Sequence, residues 1–229
     1  MLAAMLLGLP LLGIWLAGYP VSGFLEFPPE TRYVRHEPFS WLVFSLYTLI
    51  ICTCLTPLII NAFKQHRKVE PKRRPSRSFP WWGWLGLFIG MMAWMMAWTR
   101  FKWLAGLQPH TFAPLWLAFI IVINALCHRQ RGNCMMLDRP AFFLLLFPIS
   151  AAFWWFFEYL NRFVQNWYYI GPQFNAWDYF WYATLPFSTV LPAVLGLRDG
   201  LLSARWLQQR FDHLKPLHIP FPKTLAALT

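Results

Sequence analysis

Residues 81–98 read WWGWLGLFIGMMAWMMAW, eighteen consecutive positions without a charged side chain, bounded by Arg73, Arg74 and Arg77 on one side and Arg100 and Lys102 on the other. As an α-helix rising 1.5 Å per residue, such a run covers about 27 Å, close to the roughly 30 Å of hydrocarbon in a bilayer. Water is a poor solvent for a helix that is apolar on every side, so the stretch calls for lipid.

Five further runs of the same character emerge on either side. With the first they give expected spans at 2–21, 39–62, 81–98, 112–127, 141–169 and 176–197. The totals agree: hydrophobic residues make up 58% of the chain and charged ones 13%, where a soluble domain carries about 25% charge. A chain of 229 residues cannot hide that much apolar surface in one core. The expected fold is an all-α integral membrane protein, a single polytopic bundle of about six transmembrane helices.

The basic residues orient the bundle. Net charge is +11, and Lys and Arg fall almost entirely between the apolar runs. Fifteen lie in the 63–80 linker, the 128–139 loop and the 198–229 tail, against five in the intervening connections. The positive-inside rule puts the richer set in the cytoplasm, with both termini on that side and the protein in the cell's inner (plasma) membrane. This placement argues for topology and against nucleic acid as a partner. The 63–80 linker is basic and proline-bearing, suited to lying near anionic lipid.

The first run lacks a basic n-region and a small-x-small cleavage site before Phe24, so a retained helix is expected rather than a signal peptide. Residues 223–229 resemble the opening of another apolar helix, which leaves a continuation of the chain open.

Punctuation supports two helix starts. Asn175 and Asp178 form an N-cap and first-turn acid, and Asp138 before Arg139 and Pro140 is expected to open the fifth helix. In the sixth, Pro186 and Pro192 remove backbone hydrogen bonds, and Thr184, Ser188 and Thr189 are placed to compensate locally.

The four cysteines form no disulfide framework. Cys52 and Cys54 sit inside an apolar run, and Cys127 and Cys134 flank a basic loop. With His128 these two offer three ligands where a closed zinc site takes four, so no metal is expected.

The polar chemistry concentrates in 154–169, WWFFEYLNRFVQNWYY. From Glu158, the residues Asn161, Arg162, Gln165 and Asn166 follow at +3, +4, +7 and +8, the spacing of one helical face. Glu158 lies about 27 Å beyond Pro140 along a straight helix, which puts the stripe at the outer head-group level. A Glu–Arg contact at i and i+4 is the plain structural reading of Glu158 and Arg162, worth a few tenths of a kcal/mol in water. The functional reading makes Glu158 and Arg162 the catalytic candidates, Glu158 as general acid or base. Asn161, Gln165, Asn166, Arg100, Lys102, Gln108, His110, Trp154 and Trp155 are then the ligand-binding candidates, with His36 and His110 as further proton carriers.

No P-loop, H-E-x-x-H, G-x-S-x-G, C-x-x-C-H or EF-hand loop is present, so the matching enzyme classes lack support, and no cofactor is implied. Three functions remain. The chain binds or modifies a lipid, isoprenoid or similar amphiphile at its outer face; it is a non-catalytic subunit packing against a membrane-protein partner through aromatic faces; or, third, it carries a small solute. The topology makes a direct prediction. Single cysteines replacing Arg32 and Lys72 will be labelled by an impermeant reagent from opposite sides of the membrane, and labelling from one side would overturn the six-span arrangement.

Overall fold

A computed structural model describes residues 2–35, 37–66, 77–99, 101–169, 174–204, 207, 208 and 211 of the chain. Among them 78% are helical and none lies in a strand. Among the described residues eight α-helices occur in order: α1 (Leu2–Leu16), α2 (Val21–Phe24), α3 (Trp41–His66), α4 (Trp81–Trp98), α5 (Phe112–Arg131), α6 (Met135–Asp138), α7 (Pro140–Val164) and α8 (Ala176–Ser203). Four helical stretches, Trp41–Lys64, Gln108–Arg131, Pro140–Val164 and Ala176–Ser203, are long and apolar enough to cross a membrane. The chain divides into two compact units, Phe39–Pro75 with Leu201–Thr229, whose long helix is α3, and Met1–Pro38 with Ser76–Gly200.

Several boundaries differ from the sequence expectation, each for a local reason. The first helix stops at Leu16 rather than near 21, because Gly18 turns left-handed at φ 76° and Pro20 cannot continue the ladder. The fifth expected span ends at Val164 and not at 169. Gln165 adopts φ 47° and ψ 42°, and its N–H bonds Asn161 O at 2.7 Å, closing the helix in a left-handed cap.

Asp138 does not open α7. Its Oδ2 instead accepts the Cys134 N–H at 2.6 Å, capping the single turn of α6, while Arg139 caps α7 ahead of Pro140. The N-terminus of α8 is as expected: Asn175 Oδ1 accepts the Asp178 N–H at 2.9 Å.

Pro186 and Pro192 stand inside α8, and neither donates to the carbonyl four residues before it. Thr184, Ser188 and Thr189 donate to Phe180 O, Leu185 O and Pro186 O, not to the carbonyls four residues before the prolines. Ser150 of α7, fully buried, donates its hydroxyl to Phe187 O at 2.5 Å and accepts the Leu191 N–H at 3.0 Å. A side chain inserted into the helical ladder is a recognised cause of a bend.

In this unit two kinds of packing coexist. α4 and α5 approach closely and antiparallel, because Gly83, Gly86 and Gly90 lie against Ala125, Ile121 and Ala118. Small residues let backbones come together where lipid offers no hydrophobic drive to helix pairing. Gly196 and Gly200 of α8 likewise sit against Ile123 of α5. Below Ser150, Ile120, Met135, Phe143, Leu146 and Ala193 form a buried core, with Asn124 bonding Ile120 O and the Met136 N–H. Toward the other end, where α5 and α8 begin and α7 ends, large rings such as Trp154, Trp155, Phe187 and Tyr179 separate the helices.

Cys127 and Cys134 are buried and in no disulfide, and burial pushes the Cys134 thiol up, away from the thiolate that metals and electrophiles take. Among the described residues no group of three His, Cys, Asp or Glu could hold a metal ion.

A Cβ at Gly86 would stand 2.7 Å from Ile121 Cγ2, whereas at Gly106 it would meet nothing within 4 Å. Gly86→Leu should therefore cost roughly 1–3 kcal/mol and Gly106→Ala about 0.5 or less. Thermal unfolding in detergent reads the difference; equal stability would contradict the close packing of α4 on α5.

Candidate functional site

Ring-separated helices leave a cavity of about 1070 Å³ between the beginnings of α5 and α8 and the last turns of α7. Its far end is apolar: Trp116 from α5, Trp154 from α7, and Pro186, Phe187 and Val190 from α8. From Tyr179 to Val190 it follows α8 for about 16 Å. Its near end is polar, with Glu158, Asn161, Arg162 and Gln165 on α7 and its cap, and Glu30 and Arg32 on the extended chain before α3.

Glu158 is the polar centre. It is only 2% exposed, and a carboxyl group so placed must be hydrogen-bonded. Three donors meet it. Tyr179 Oη donates to Oε1 at 3.0 Å, and Trp167 Nε1 and Tyr169 Oη donate to Oε2, each at 3.2 Å.

Trp167 and Tyr169 reach Glu158 because the chain turns back after α7. Asn161, 6% exposed, holds that return with both ends of its amide. Its Nδ2 donates to Trp167 O at 2.9 Å and its Oδ1 accepts the Trp167 N–H at 3.3 Å.

Arg162 and Gln165 serve a different element. Arg162 Nη1 donates to Glu26 O at 2.6 Å. Gln165 Oε1 accepts the Tyr33 and Val34 N–H groups at 2.7 and 2.9 Å, and its Nε2 donates to Thr31 O at 2.9 Å. Together they strap residues 26–34 along the cavity. The strap is also shaped from within. Glu26 accepts from the Glu30 and Thr31 N–H groups and the Thr31 hydroxyl. Those bonds, above all the one from the Thr31 backbone, hold the Glu26 carboxyl below its usual range. Arg32 lies 3.8 Å over the Tyr168 ring, a cation–π contact.

The sequence-derived candidates therefore separate. Glu158, Asn161, Arg162, Gln165 and Trp154 line the cavity. Glu158 and Arg162 do not pair: Arg198–Asp199 is the one ion pair among the described residues. Gln165 and Asn166 lie beyond the helix, so the helical face ends at Arg162, and Asn166 is exposed outside the cavity.

Trp155 packs behind the cavity, donating to Thr184 Oγ1 at 2.9 Å and stacking on Phe180. Lys102 is exposed on a short 3-10 turn, and Gln108 ties the next one to Thr99 O. His110 reaches the site only through Tyr182, on which it stacks with Nε2 2.6 Å from the phenol oxygen. Arg100 and His36 lie outside the described residues.

Sequence reasoning missed Trp167, Tyr169 and Tyr179 as partners of Glu158, and the 26–34 strap as a wall. Trp167 and Tyr169, expected at head-group depth, have the character of an interfacial belt, and Tyr179 gives no signal of its own. The signal that they do more was the Asn and Gln at 161, 165 and 166, residues suited to ending a helix and capturing loop backbone.

Comparisons with protein families, with curated proteins and with solved structures find no match for the chain.

Gln165→Ala removes three hydrogen bonds from the strap and none from the Glu158 cage. Hydrogen exchange at the Tyr33 and Val34 amides should accelerate by about tenfold or more, while α7 amides before Asn161 hold. Unchanged protection at Tyr33 and Val34 would refute the strap.

Proposed function

We propose that the protein is a multi-pass membrane protein of the cell's inner membrane that binds an amphiphile in the α5–α7–α8 cavity. In this reading α1 and α4, about 22 and 27 Å long, join the four longer helices to make six crossings with both termini in the cytoplasm. The polar end of the cavity then lies at the outer head-group level.

The observation that carries the proposal is the gradient within one cavity. Charged and amide side chains gather at the end near the strap, and aromatic and aliphatic ones fill the rest down to Val190. Ligand cavities typically hold about 300–1,000 Å³, largely apolar with a few placed polar groups, and this one is slightly larger, at about 1070 Å³. A tail would lie against Trp116 and Phe187, and a head would meet Glu158, Arg162 and Arg32.

Binding fits better than catalysis by Glu158 and Arg162. Glu158 already takes three hydrogen bonds, and Arg162 holds the strap, so neither is poised as an isolated proton carrier. A small-solute pathway has less support, because Ile120, Phe143, Leu146 and Ala193 close the bundle below the cavity. A role as a subunit of a membrane complex draws on the exposed rings of α4, Trp84, Phe88 and Trp94, and leaves the cavity without a use.

Ala183 lines the cavity and is 9% exposed. Ala183→Trp should fill part of the space. Native mass spectrometry of the purified protein should show a bound amphiphile that this variant loses at least tenfold, with folding intact by circular dichroism. Equal retention by Ala183→Trp, or a protein that carries no amphiphile, would contradict the proposal.

A further inference from the structure

Resting on the amphiphile reading, the inventory of hydrogen-bonding groups restricts the head that the cavity accepts. The three donors that touch Glu158 are all spent on it. The indole N–H of Trp167 and the hydroxyls of Tyr169 and Tyr179 all point at the carboxyl group. An indole offers nothing else, a phenol keeps acceptor lone pairs, and a carboxylate has about four acceptor positions of which three are filled here. Immediately around the carboxyl the floor therefore presents acceptors, with the second amide N–H of Asn161 the nearest donor a turn above. A carbonyl or phosphate seated on it would meet lone pairs, whereas a hydroxyl or ammonium would be received.

Higher up the polarity inverts. Arg162 stands four residues beyond Glu158, about 6 Å along the helix, and Gln165 seven residues beyond, about 10 Å. Gln165 fixes the strap on both sides of Arg32, through Thr31 O and the Tyr33 N–H, so Arg32 belongs to this upper level. Arg162 uses Nη1 on Glu26 O and keeps further N–H groups, and Arg32 stacks on Tyr168 without a hydrogen bond to any described residue. Of the acids nearby, Glu30 lines the rim, and the Glu26 carboxyl is already taken up by the Glu30 and Thr31 N–H groups and the Thr31 hydroxyl, so the unspent N–H groups at this level are those of the two guanidiniums. Guanidinium forks favour phosphate and carboxylate oxygens.

We infer that the ligand is an amphiphile carrying a hydroxyl or ammonium donor next to its tail and an anionic group, such as phosphate, beyond it. The order tail, donor, anion matches the order of aromatic pocket, carboxyl floor and guanidinium-bearing rim. A lysophosphatidate has this order; an alkyl phosphate lacks the donor and a monoacylglycerol lacks the anion.

The test compares those three probes, matched in chain length, on the full chain in detergent by microscale thermophoresis. Lysophosphatidate should bind about tenfold or more tightly than either of the others. Arg32→Ala changes an exposed residue and should erase its advantage over monoacylglycerol while keeping that over dodecyl phosphate. Glu158→Gln should do the converse. If Glu158→Gln fails to fold, the wild-type ranking and Arg32→Ala still decide. Replacing lysophosphatidate by a sphingoid-base phosphate tells ammonium from hydroxyl, and tighter binding there identifies the donor as an amine. Three probes binding equally would overturn the inference and leave amphiphile binding standing. If none bound, both would fall.

Discussion

A carboxyl group that loses its water must find hydrogen-bond donors, and the need is sharper where the surroundings are aromatic rings and lipid. Glu158 meets that need with three groups from two places: the return after α7 supplies Trp167 and Tyr169, and the first turn of α8 supplies Tyr179. Each donor is an amphipathic aromatic, apolar in body and polar at one tip. The same side chains therefore hold α7 and α8 together and line the space between them. Asn161 makes the arrangement possible by fixing the backbone of Trp167.

The cavity follows from a contrast in side-chain size. Along α4 and α5 glycine and alanine let the backbones touch. Along α7 and α8 tryptophan, phenylalanine and tyrosine cannot interdigitate as closely, and the helices stand apart. Ser150, bridging Phe187 and Leu191, brings α7 back to α8 and marks where the cavity gives way to the core. Above it the strap closes one side, held by Arg162 and Gln165, whose polar ends would otherwise be costly beside lipid. Binding, in this architecture, comes from what imperfect packing leaves open and from which hydrogen-bonding capacity the cage has not used.

The helical pattern was legible because lipid imposes it. Runs such as 81–98 and 176–197 have a single solution, and helices lie where they predict. Helix ends were less so. The 154–169 stretch keeps a helical spacing of polar residues through Asn166, yet the helix stops at Val164, because Asn161 and Gln165 bond loop backbone instead. Periodicity cannot distinguish an amide that faces a neighbouring helix from one that captures a distant segment. Glu158 and Arg162 looked like a pair for the same reason, being one turn apart. Their separation is decided by Glu26 O, which lies 136 positions away in sequence. Long-range partners of that kind, including Tyr179 and the strap, leave no local trace.

The account stands or falls on where an amphiphile's tail lies. A single-chain phosphate amphiphile with a diazirine near its chain end, activated in the presence of the full-length protein, would report it by peptide mapping. The predicted adducts are at Trp116 and in the Ala183–Val190 part of α8, next to the apolar end of the cavity. Adducts confined to outward-facing residues such as Leu85, Phe88 and Leu144, with none at Trp116 or Val190, would contradict it.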